Sequence, residues 1–105
     1  MDKAIFPKSQ NRASHEWLET LQPCTTNQFR SHMERGATPI FLLAPESTFM
    51  TPVWVMVVEL SDGSLLRTIS NKEPLARRLT SVKKVYQIAR NCGFQSLTIP
   101  VENQG

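Results

Sequence analysis

The sequence predicts an α+β fold: an antiparallel, hairpin-based sheet with a C-terminal helix packed across it and one or two short N-terminal helices. Three observations carry this. Val53-Trp54-Val55-Met56-Val57-Val58 is β-branched and apolar at odd and even positions alike, the pattern of a central strand covered on both faces. Ser61-Asp62-Gly63-Ser64 follows, and Asp-Gly supplies the positive φ angles that a tight hairpin turn requires. Between Ser81 and Asn91, Val82, Val85, Tyr86 and Ala89 recur at i, i+3, i+4 and i+7, the stripe of an amphipathic helix.

Residues 1–10 show no apolar period and read as a flexible N-terminal arm, leaving 11–105 as a single α+β domain. From Ala13 to Leu21, Trp17, Leu18 and Leu21 share a helical face, Ser14 is the N-cap, and Pro23 ends the element. A second helix is expected over Thr26–Arg35: Thr25 to Gln28 has capping-box spacing, Phe29 and Met33 share a face, and Gly36 is the stop. Pro39–Leu43 reads as a short strand and Ala44–Pro52 as a loop bracketed by prolines. After the hairpin turn, Leu65–Ser70 is the return strand, Asn71–Pro74 a turn, and Leu75–Leu79 a short edge strand. Ser81 or Thr80 caps the last helix, Ile88 and Cys92 widen its stripe, and Gly93 stops it, with Phe94 folding back in a Schellman-type contact. Gln95–Val101 alternates, and Pro100 favours an edge position, where homodimerisation is an expectation. The two N-terminal helices are expected to cover the sheet face opposite the C-terminal helix.

With 105 residues, 40% of them hydrophobic, the chain is long and apolar enough for one globular core without metal or disulfide staples. Met1–Gln10 lacks the apolar centre of a signal peptide, and Val53–Val58 is too short to span a bilayer. A cytoplasmic location with reduced thiols and no membrane partner is the expectation. Cys92 reads as a buried core thiol and Cys24, in a turn, as an exposed one.

Charge is concentrated. Arg67, Lys72, Arg77, Arg78, Lys83, Lys84 and Arg90 fall within 24 positions against a single acid, Glu73, a focused field suited to polyanions. Lys83, Gln87, Arg90 and Asn91 lie opposite the apolar stripe, with Lys84 at the margin. Arg77, Arg78, Lys83, Lys84 and Arg90 are therefore the candidate DNA contacts; a plain solvated helix face is the simpler reading. No exposed aromatic interleaves them in this register, which speaks against single-strand stacking.

Residues 54–101 resemble a family of small plasmid-encoded, partition-associated proteins of the ParC type. The shared features are an apolar strand opening on an aromatic, a turn through Asp62-Gly63, and a basic pair before a hydrophobic, Arg77-Arg78-Leu79. A helix from Ser81 to Gly93-Phe94 and an alternating strand through Ser96, Leu97 and Thr98 complete them. The family's alanine-rich helix is here replaced by Lys83, Lys84, Val85 and Tyr86, and the N-terminal half has no counterpart. The resemblance implies a mobile genetic element, a bacterial cytoplasm and a non-enzymatic accessory role.

Other constellations weigh less. The two N-terminal helices suggest a helix-turn-helix that reads bases with Asn27, Gln28, Arg30 and Ser31, but a hairpin follows where a supporting third helix belongs. His15, Cys24, His32 and Cys92 match no zinc spacing and define no Cys–His nucleophile pair. The acids are scattered and no glycine-rich cradle is present, so neither cofactor nor catalysis is expected. Phe49 and Met50, large apolar residues in a polar loop, either cap the sheet or meet a protein. The leading reading is a small DNA-contacting accessory protein of a mobile element. The alternative is a module that binds a host or plasmid protein, for example an inhibitor of a host-defence complex.

Overall fold

The computed structural model describes residues 12–69, 76–93 and 99–102. In chain order the elements are α1 (His15–Thr20), β1 (Gln22–Cys24), α2 (Thr26–Glu34), β2 (Thr38–Leu43), β3 (Trp54–Glu59), β4 (Leu65–Thr68), β5 (Arg78–Leu79) and α3 (Val82–Asn91). The expected arm, the Asn71–Pro74 turn and most of the Gln95–Val101 strand, with its dimerisation edge, lie outside the described residues.

β3 is central, as its two-sided composition requires. The sheet runs β1-β4-β3-β2, and β5 pairs with the first two residues of β3. Side chains alternate across a strand, so β2 and β3 divide their residues between two cores. Leu42, Val55 and Val57 point to one face with Leu18, and Trp17, Leu21 and Ile40 pack against them. Phe41, Leu43, Trp54 and Met56 point to the other with Leu79 and Val85, joined by Phe29, Ile88 and Ile99. Thus α1 covers the first face, and α2 and α3 share the second.

This corrects the expected placement of both N-terminal helices opposite α3. The cause is β1, a three-residue strand that aligns parallel to β4, with Gln22 beside Leu66 and Cys24 beside Thr68. It carries the chain along the sheet edge and over to the other face between α1 and α2. Pro23 is tolerated because the strand is at an edge. The Arg67 guanidinium donates to the Leu21 carbonyl from a nearly buried position. Cys24 is correspondingly buried, not exposed, and its thiol pKa is pushed up by loss of solvent.

The caps follow the sequence. The hydroxyls of Ser14, Thr25 and Ser81 accept from the amides of Trp17, Gln28 and Lys84, satisfying first-turn donors that have no partner within the helix. At α2 the Gln28 side chain also accepts from the Thr25 amide at 2.9 Å, closing a capping box. Thr25→Ala removes half of it and is expected to cost about 1 kcal/mol, read as a lowered midpoint in chemical denaturation; an unchanged midpoint would mean the box contributes nothing. Gly63, at φ 90°, makes the β3–β4 turn, where its amide donates to Leu60 and the Asp62 carboxylate accepts from Ser64.

The β2–β3 loop is closed by its own hydrogen bonds. Ala44 donates to the Val53 carbonyl at 2.8 Å, and the buried Ser47 hydroxyl accepts from the Val53 amide at 2.9 Å. Arg12 donates to the carbonyls of Ala44 (3.1 Å) and Ser47 (2.9 Å) and pairs with Glu102. The chain near both ends is thereby tied to this loop. On the outer side of β2, Arg12 bridges Leu43 and the Ala13 amide donates to the Leu43 carbonyl. Among the described residues no helix is long and apolar enough to cross a membrane.

Candidate nucleic-acid interface and the adjoining cleft

The helical period of α3 is as expected, but its rotation is not. Val85 and Ala89 are buried, Ile88 and Cys92 half-buried, so the inward seam is Val85, Ile88, Ala89 and Cys92 at i, i+3, i+4 and i+7. Val82 and Tyr86, expected in that seam, are 56% and 62% exposed. The apolar stripe is wider than the sheet can cover, and the helix resolves the excess by burying Ile88 and Cys92 in place of Tyr86. Cys92, expected in the core, stays half-buried at the helix end.

The outward rotation changes what the cations surround. Lys83, Tyr86, Gln87, Arg90 and Asn91 line one shallow depression on the solvent side of α3. Tyr86 is thus an exposed aromatic interleaved with two cations and two amides, the feature that the sequence register had excluded. Lys83, Lys84 and Arg90 are exposed, and none forms an ion pair with a described residue. Lys84 lies outside the depression.

The structure does not gather the other two predicted contacts there. The Arg78 guanidinium is engaged by Glu46, with Nε donating to one carboxylate oxygen at 2.6 Å and Nη2 to the other at 3.2 Å. Its Nη1 donates to the Ala76 carbonyl at 2.8 Å. The Arg78 hydrogen bond holds the Glu46 carboxyl below the usual carboxylate range. Arg77 is exposed, but it points to another concavity.

That concavity is a cleft of about 470 Å³ between α2 and α3. Met56 and Leu79 of the sheet contribute to its lining, as do Phe29 and Met33 from α2 and Ile88 from α3. Arg30, Glu34 and Arg77 also line it, and Asn91 borders both the cleft and the α3 depression. Sequence reasoning missed the cleft because it placed α2 on the wrong face. Both cysteines line it, and burial raises the pKa of each, which disfavours the thiolate form.

A helix-turn-helix is not formed: β1 separates α1 from α2, which lie on opposite sheet faces. Phe49 and Met50 sit at the tip of the closed β2–β3 loop, 52% and 83% exposed, and do not cap the sheet. No protein-family model, no curated protein and no solved structure matches this chain.

Proposed function

We propose that this domain is a non-catalytic binding protein that contacts nucleic acid through the outer face of α3. One observation carries the reading: Tyr86 is 62% exposed within a surface also lined by Lys83, Gln87 and Arg90. Cations neutralise phosphates, an exposed ring stacks on any base, and the two together suit an unpaired strand better than a duplex groove. Lys83 and Arg90 carry the phosphate contacts, Tyr86 the stacking, Gln87 and Asn91 hydrogen bonds. Arg78 is not among the contacts, because Glu46 holds it. The ParC-type resemblance of residues 54–101 supports the setting, an accessory protein of a mobile element acting in a bacterial cytoplasm.

The test is anisotropy titration of labelled single- and double-stranded oligonucleotides across a salt series. Affinity should fall as salt rises, and Lys83→Gln with Arg90→Gln should flatten the log–log slope by about 0.7 per lost contact on a single strand. Tyr86→Ala should weaken single-strand binding by roughly 1–3 kcal/mol. No binding of either form at low salt would overturn the proposal.

A second reading rests on Phe49 and Met50, which a hydrogen-bonded loop presents to solvent. In it the loop anchors a host or plasmid protein, as an inhibitor would. Capture from a bacterial lysate with and without nuclease separates the two. Partners lost on nuclease treatment favour the α3 face; partners that persist, and that Met50→Asp abolishes, favour the loop.

A further inference from the structure

We propose that the α2–α3 cleft is a binding site for a small amphipathic carboxylate, with the apolar body over Met56 and Leu79 and the head group at Arg77. The volume, about 470 Å³, lies within the range of small-ligand sites, which are mostly apolar with a few convergent polar groups. Phe29, Met33 and Ile88 supply apolar walls from the two helices, and the methionines let the lining adapt to a flexible chain.

The charges select the sign of the head group. Arg30, Glu34 and Arg77 are the charged residues among those lining the cleft, so the lining carries a net positive charge. Glu34 follows Arg30 by one helical turn, an i, i+4 spacing at which opposite charges attract. No ion pair joins Arg30 to Glu34, and Arg77 likewise forms none with a described residue, so both guanidiniums are available to a head group, Arg77 from the sheet side of the cleft. Its backbone is held in place, since the Arg77 amide donates to the Thr68 carbonyl at 2.8 Å. A planar guanidinium matches a carboxylate through two parallel hydrogen bonds. An amine head group would meet the wrong charge, and a neutral one would leave the guanidinium unused.

This site is independent of the nucleic-acid reading, since the two surfaces share only Asn91 among their lining residues. Octanoate, octanol and octylamine are suitable probes, below their aggregation concentrations, with calorimetry and NMR shifts as readouts. Octanoate should bind tightest and octylamine weakest, with shifts mapping to Phe29, Met56 and Ile88. Arg77→Gln should weaken octanoate about tenfold, in keeping with loss of a charge-assisted bond at a partly solvated site, and leave octanol unchanged. Octanoate should also slow alkylation of Cys92, the half-buried thiol of the cleft, followed by mass spectrometry of its peptide. Because Arg77 is exposed, the variant should keep its thermal midpoint; Arg30→Gln provides a second test should it not. Octanoate that binds no tighter than octanol, or an octanoate affinity that neither arginine substitution changes, would overturn the site, whatever the oligonucleotide titrations show.

Discussion

Trp54→Ala is expected to lose about 3–5 kcal/mol of stability, the cost of deleting a large aromatic from a packed interior. Trp54 is 3% exposed on the central strand and belongs to the core between the sheet and α2 and α3. Its indole also reaches beyond the sheet: Nε1 donates to the Pro100 carbonyl at 2.9 Å. Truncation therefore removes packing and one of the ties of the segment at residues 99–102 in one step. Trp54→Phe separates the parts, keeping a ring in the core while losing the donor, and should cost less, with about 1 kcal/mol from the hydrogen bond itself. Equilibrium denaturation followed by circular dichroism measures both. An alanine variant within 1 kcal/mol of the parent would contradict the packing described for this face.

The second large effect is expected at Ser47, two residues before Phe49 in the β2–β3 loop. Its buried hydroxyl accepts from the Val53 amide, and it is the leading influence holding the Glu102 carboxyl below its usual range, followed by Arg12. Ser47→Ala leaves a buried amide unsatisfied and is expected to cost about 1–3 kcal/mol. The lowered pKa of Glu102 also fixes the direction of a pH effect. A carboxyl whose folded pKa lies below its unfolded value contributes stability that is complete above the unfolded range, about 4.3, and is lost as pH falls through the folded value. Glu46, lowered by Arg78, acts in the same direction. Stability should therefore decline on acidification below that range, and Glu102→Gln should flatten part of the decline. Denaturation midpoints collected across the acid range provide the check; parallel curves for parent and variant would remove Glu102 from the account.

What could be read from the sequence was local. The caps at Ser14, Thr25 and Ser81 act over three residues, and the Asp62-Gly63 turn over four, so neighbouring residues suffice to specify them. The central position of β3 was legible too, because residues covered on two faces must be apolar at every position. What escaped depends on partners distant in the chain. β1 is three residues long and contains a proline, so it carries no period, and only its alignment with β4 makes it a strand. Without it the side of the sheet taken by α2, the burial of Cys24 and the cleft could not be inferred. The rotation of α3 was likewise undetermined, since Val82, Val85, Tyr86 and Ala89 compete with Val85, Ile88, Ala89 and Cys92 for the same contact. The sheet surface decides between them. Of the candidate DNA contacts, Lys83 and Arg90 share the face they were assigned and Lys84 lies outside its depression. Arg78 was out of reach of sequence reasoning, because its partner Glu46 is 32 positions away.

The contact between residues 12–13 and Leu43 has a consequence for how copies of this protein meet. Because the Leu43 carbonyl faces away from β3, the alternation along β2 turns the backbone groups of Phe41 and Pro39 the same way. Proline has no N–H to offer, so the outer rim of β2 lacks a donor at one end and is already engaged at the other. A second molecule that approached as an added strand would find a broken ladder. The β2 edge of the sheet is thus built to discourage fibre-like growth while the protein is crowded or newly made.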